Sequence, residues 1–168
     1  MEYKRTLLKI FMAIAIFYSC NKDRLNQSQL GELDITALQN KRGVEGLLIG
    51  AYSMLDGISG IQFNYGAAAS NWIYGSVCGS EAYKGGPDLT NDQPDISSLE
   101  TFKSNSYNSD LAQKWAAVYD GIAKTNEVLR VMRKAKDMSV ADTMEVRAEA
   151  LFLRAHYHFE AKKIWNNI

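Results

Sequence analysis

The stretch 139–164, SVADTMEVRAEALFLRAHYHFEAKKI, decides the fold class. Its apolar residues recur at helical spacing on two faces at once. Ala141, Met144, Ala148, Leu151, Phe152, Ala155 and Phe159 form one stripe, and Val146, Ala150, Leu153, Tyr157, Ala161 and Ile164 form the other. Ser139-Val140-Ala141-Asp142 opens the helix with a capping-type motif. A helix apolar on two sides is built to lie between neighbours. The expected fold is therefore an all-α bundle, with the second layer supplied by earlier helices or by sequence following Ile168.

Working outward, Asp137-Met138 is a tight connection to a preceding helix. Ser109 and Asp110 are its N-terminal signals, and Leu111, Trp115, Val118, Ile122, Leu129 and Met132 follow helical spacing. Arg133, Lys134 and Lys136 suit its C-terminal end. An earlier helix carries Val44, Leu47, Leu48, Ala51 and Leu55 on one stripe. Thr36 and Gln39 have capping-box spacing for its start, with a later start near Lys41 as the alternative that Gly43 leaves open. Gly46 and Gly50 allow another helix to approach closely, and Gly57 and Gly60 end the element. Ala67 to about Val77 is a shorter helical candidate with Trp72 and Ile73 as its bulk. The stretch 85–108, rich in Gly, Pro, Asp, Asn and Ser, reads as an irregular and functional loop, because Pro87 and Pro94 argue against continuous structure. Leu99 and Phe102 are expected to pin it to the core.

The 168 residues are 46% hydrophobic and 23% charged, which suits one globular domain and excludes a disordered tail. Basic and acidic residues balance at 19 each, so no global field favours nucleic acid. The balance conceals a basic N-terminus: Lys4, Arg5 and Lys9 precede the apolar run Ile10–Tyr18 (IFMAIAIFY). Nine helical residues rise only about 14 Å, against a hydrocarbon core of roughly 30 Å. This is the layout of a cleaved export signal. Ser19-Cys20-Asn21 at its end resembles a bacterial lipoprotein box, although Phe17 and Tyr18 are bulkier than is usual there. Cys20 is thus the expected lipid anchor, the plain alternative being a free cysteine after an ordinary secretory signal. Residues 1–19 are assigned to the signal, 20–35 to a lipid-anchored tether and 36–168 to the helical domain. Only Cys78 remains, so no intramolecular disulfide is expected.

Several segments together resemble one family. Leu48-Ile49-Gly50-Ala51-Tyr52-Ser53-Met54-Leu55 resembles the early "GAY" helix of SusD/RagB outer-membrane nutrient-binding lipoproteins, and Ser80-Glu81-Ala82-Tyr83-Lys84-Gly85-Gly86 resembles a turn after the second helix in part of that family. An aspartate is commoner there at the position of Glu81. Trp115, Tyr119, Ile122 and Asn126 match its W-x3-Y-x2-I-x3-N helix, and Glu149–Phe159 (EALFLRAHYHF) matches its E-A-x-F-L-R-A-x-Y-x-F helix. Ile164-Trp165-Asn166-Asn167-Ile168 fits the start of the strand-like passage that follows. The resemblance implies a tetratricopeptide-like helical scaffold with irregular insertions as the ligand face, incomplete at the C-terminus because members run to several hundred residues. It implies a surface lipoprotein that binds glycan or another oligomeric nutrient and delivers it to a SusC-like TonB-dependent transporter, held to the outer membrane by its lipid. The alternatives are a tetratricopeptide-like protein–protein adaptor and a truncated fragment without function.

No catalytic constellation, metal site or cofactor is expected. His156 and His158 diverge by about 200° on a helix and cannot chelate together. Glu160, four residues after His156, reads as a surface contact, and Glu145 and Glu149 as a solvated face. Asp88, Asp92 and Asp95 lack the pattern of a calcium loop and read as solvated acids. Trp72, Trp115 and Trp165 are expected in the core. Sugars are bound by exposed aromatic rings and fixed polar groups, and the loop tyrosines Tyr65 and Tyr83, beside glycines, are the candidate ligand contacts.

Overall fold

The computed structural model describes residues 34–56, 71–86 and 91–166. The export segment, Cys20, Tyr65, Gly57, Gly60, Pro87 and Asp88 lie outside them. Among the described residues the fold is helical, with no strand. A 3-10 turn, Ile35–Leu38, leads to helix α1, Lys41–Tyr52, which is extended by a second 3-10 turn at Ser53–Asp56. The later start is the one adopted. Asn40, with an extended backbone, accepts a hydrogen bond from the Gly43 amide at 2.9 Å and caps α1. Gly43 is required there, because a Cβ would lie 2.4 Å from the Leu38 carbonyl oxygen.

A short π-helix, Ile73–Val77, and helix α2, Pro94–Glu100, form a small satellite. The loop expected over 85–108 therefore contains a helix. Pro94 sits in its first turn, where a missing amide costs nothing, so this proline starts regular structure instead of breaking it. The satellite has its own core of Ile73, Val77, Ile96 and Leu99.

Helix α3, Ser109–Met132, and helix α4, Val140–Ile164, carry the main core. Asn108 caps α3 through the Leu111 amide, and Ser139 and Asp142 form a reciprocal capping box at the head of α4. α3 packs along α4, and α1 packs against both. Val44, Leu48 and Ala51 of α1 meet Ile122, Val128, Leu129 and Met132 of α3 and Val146, Ala150, Leu153 and Tyr157 of α4. The helices approach closely at Gly121, where a Cβ would lie 2.7 Å from the Tyr157 ring. It is not at Gly46 or Gly50, where a Cβ would meet nothing within 4 Å.

Only one stripe of α4 is covered. Val146, Ala150, Leu153, Tyr157 and Ala161 are buried, whereas Met144, Phe152 and Phe159 are 62–72% exposed. The sandwiched helix expected from its pattern is packed on one side among the described residues. None of their helices is long and apolar enough to cross a membrane.

Candidate functional site

The family-like motifs turn out to be the joints of the scaffold. Tyr157 donates from its hydroxyl to the Ala51 carbonyl at 2.6 Å, and Tyr52 donates to Glu149 Oε2 at 2.8 Å, tying the "GAY" helix to α4 at two points. Burial, with lesser contributions from Asp56 and Tyr52, pushes Tyr157 up to about 12, so its hydroxyl stays a donor. Arg154 donates to Asn126 Oδ1 at 3.1 Å and joins α4 to α3. Trp115 stacks on Tyr119 with centroids 4.3 Å apart, and Trp165 meets Trp115 edge-on at 4.9 Å. These rings are not core in the full sense expected of them, since Trp115 remains 42% exposed. Trp72 is also partly exposed, at 37%.

Beside this aromatic cluster, where the satellite faces the end of α4, lies an open cavity of about 380 Å³. Tyr74, Phe102 and Trp165 supply its rings, and Ser104 and Lys163 its polar groups, with Cys78 and Leu99 also in the wall. The size is that of a small-ligand site. Phe102 does not pin the loop to the core. Leu99 alone does so, while Phe102 is 76% exposed and has φ 54°, a left-handed backbone rare for a bulky residue. Strain of this kind persists only where the surroundings enforce it; here the Phe102 amide bonds the Leu99 carbonyl at 3.1 Å and the Lys103 amide bonds the Ser98 carbonyl at 2.8 Å. Ser104 Oγ is buried and has no hydrogen-bond partner, an exception to the rule that buried polar atoms are satisfied. Tyr74 donates to the Asp110 carbonyl at 2.6 Å, and its burial, with Asp110 and Cys78 nearby, raises its pKa far above the ordinary phenol value. Cys78 is a free thiol whose pKa burial pushes up, which makes it a poor nucleophile.

Lys163 of the cavity wall belongs to a buried ion network. Lys114, 1% exposed, reaches Glu160 Oε2 at 3.2 Å and Asn71 Oδ1 at 3.1 Å, and Asn71 Nδ2 donates to the same Glu160 oxygen at 3.1 Å. Lys163 closes on Glu160 Oε1 at 2.5 Å. Glu160 is thus the hub of the network and not the surface contact expected from its place after His156. Burial alone would raise its pKa, but Lys163, Asn71 and Lys114 together hold it down at about 2. The Lys114 pKa is lowered by burial, against the pull of Glu160.

Of the candidate ligand residues, Tyr83 is 69% exposed on the turn that follows the π-helix, apart from the cavity. Its neighbour Lys84 has a side chain only 2% exposed and fixes that turn to α2 through the Asp92 carbonyl and Ser97 Oγ. Gly86, at φ 87°, makes the turn possible: a Cβ there would meet Asp92 Oδ2 at 2.5 Å. Asp95 is no solvated acid either. It accepts from the Ser109 amide at 2.9 Å, while Asn108 Nδ2 reaches the Asp95 carbonyl at 2.9 Å, so α2 grips the head of α3. No local pattern marks Phe102, Ser104 and Trp165 as residues that line one cavity. A Pro-Asp start at Pro94 was the available signal that a helix would turn the following residues towards α4.

Residues 73–168 match a family described as SusD-like, starch-binding and associating with the outer membrane. No curated protein and no solved structure matches the chain. The matched region includes the π-helix, the satellite and the whole α3–α4 pair. It covers more than half of the sequence, and on this ground the chain belongs to the SusD-like family.

Proposed function

We propose that this protein is a lipid-anchored glycan-binding protein that captures its ligand at the cavity between the satellite and the end of α4 and delivers it to a SusC-like TonB-dependent transporter. The observation that carries this reading is the family match over 73–168, whose description is binding and not a reaction. The cavity supplies a chemical means. Phe102 and Trp165 offer ring faces for the C–H surface of a sugar, and Ser104 Oγ is an unused polar atom beside them. Tyr83 and Tyr65 act as outer contacts in this reading, and Cys20 carries the lipid.

Affinity electrophoresis of the full chain through gels containing amylopectin tests the ligand. Retardation is expected, and Trp165→Ala or Phe102→Ala weakens it about tenfold, which corresponds to roughly 1.4 kcal/mol. Migration unaffected by amylopectin and by every other neutral or acidic glycan defeats the reading. Labelling of cells with a palmitate analogue tests the anchor, since Cys20→Ala must abolish incorporation. A tetratricopeptide-like adaptor is the second reading, favoured by the uncovered stripe of Met144, Phe152 and Phe159 on α4. Pull-down of the chain with a partner that Phe152→Ser and Phe159→Ser release, without any retardation in glycan gels, selects it.

A further inference from the structure

Between Val140 and Arg154, the acids and the arginines of α4 are segregated to opposite edges. Asp142 bonds Lys41 at 2.9 Å and Glu149 accepts from Tyr52, so this edge faces α1. Glu145 acts on Lys41 from the same edge. The other edge, towards α3, carries Arg147 and Arg154, and α3 adds Arg133. These three line one groove of about 370 Å³. Its floor is apolar, formed by the buried Leu129 and Met132 and the half-exposed Leu151.

A helix arginine is stabilised by a carboxylate three or four residues away. Arg147 has Thr143, Met144, Ala150 and Leu151 at those positions, and Arg154 has Ala150, Leu151, Tyr157 and His158. Asp137, four residues after Arg133, is engaged by the Lys41 amide at 2.8 Å. No carboxylate forms an ion pair with any of the three among the described residues; Arg154 is instead held by the neutral Asn126. Three uncompensated guanidiniums around one concavity repel one another, and a bound anion removes that cost. Guanidinium forks match the oxygens of carboxylates and sulfates.

We infer that the α3–α4 groove is a second binding site, one that takes the carboxylate or sulfate group of an acidic sugar. The apolar floor accepts the C–H face of the ring while the arginines hold the charged substituent. The inference rests on the reading that the chain binds glycan, and it is separate from the aromatic cavity.

The test uses the full chain and the variant Arg133→Gln/Arg147→Gln, which leaves the Arg154–Asn126 joint intact. Arginine Nε–Hε resonances are followed by NMR during titration with sodium sulfate, with sodium chloride at equal ionic strength as control. Saturable shifts with sulfate and none with chloride are expected for the wild-type chain, weakened at least tenfold in the variant. Affinity gels containing polygalacturonate, chondroitin sulfate or amylopectin then distinguish the two anion sources. Retention by one acidic polymer, lost in the variant while amylopectin retention persists, upholds the inference and names the source. Retention by amylopectin alone, or acidic retention unchanged in the variant, overturns it and leaves the glycan reading standing. Absence of retention by all three polymers defeats the glycan reading. Displacement of sulfate by polyglutamate but by no acidic polysaccharide assigns the groove to a protein partner, which also overturns the inference.

Discussion

Glu160 shows how one residue sets a pH limit. Its folded pKa is depressed from 4.5 to about 2, so the stabilisation it gives is complete above its unfolded value and disappears as pH falls towards 2. The contribution is of order 3 kcal/mol. Thermal melts between pH 6 and pH 2.5 are expected to show a steep loss below about pH 4.5 that is flattened in Glu160→Gln. At neutral pH the same variant leaves Lys114 buried opposite a neutral amide, and denaturant titration is expected to record a loss of about 3–5 kcal/mol. Gly121 supplies a steric counterpart. Gly121→Ala pushes a methyl to 2.7 Å from the Tyr157 ring, and overpacking of this kind costs about 1–3 kcal/mol. Unchanged melting of Gly121→Ala contradicts the helix approach described here.

At the scale of elements, α4 begins where its sequence says it must. Ser139→Ala removes the acceptor for the Asp142 amide and is expected to cost about 1 kcal/mol. Faster hydrogen exchange confined to the amides of Asp142 and Thr143 is the local signature. The α3–α4 pair was legible because long apolar periodicity and a Ser-x-x-Asp start agree. The satellite was not. Seven residues, PDISSLE, are too few to show a period, and the weight given to Pro94 as a breaker outweighed its role at a first turn. The aromatic cluster was hidden for a related reason: Trp115 and Trp165 have the spacing of core residues, and only their edge-on contact at a half-exposed end separates them from core. Glu160 and Lys114 lie 46 residues apart, and nothing local links them.

Over the whole molecule, the residues that carry the family resemblance bind the scaffold together. Tyr157 bonds Ala51, Tyr52 bonds Glu149 and Arg154 bonds Asn126. Motif strength therefore reports the frame, whereas the cavity lined by Phe102 and Ser104 falls outside these motifs. The uncovered stripe of α4 follows the same division. Phe152→Ser with Phe159→Ser is expected to change folding free energy by no more than about 0.5 kcal/mol, because both rings are exposed, while reducing concentration-dependent association in sedimentation velocity.

The grip of Asp95 on the head of α3 has a consequence for how such a chain changes over generations. It returns the backbone to a fixed spot, so residues inserted between Gly86 and Asn91 need only close on the same anchor. Closure entropy grows logarithmically, and doubling the inserted length costs only about 0.6 kcal/mol. That connection can therefore lengthen at small cost while α1, α3 and α4 keep their packing.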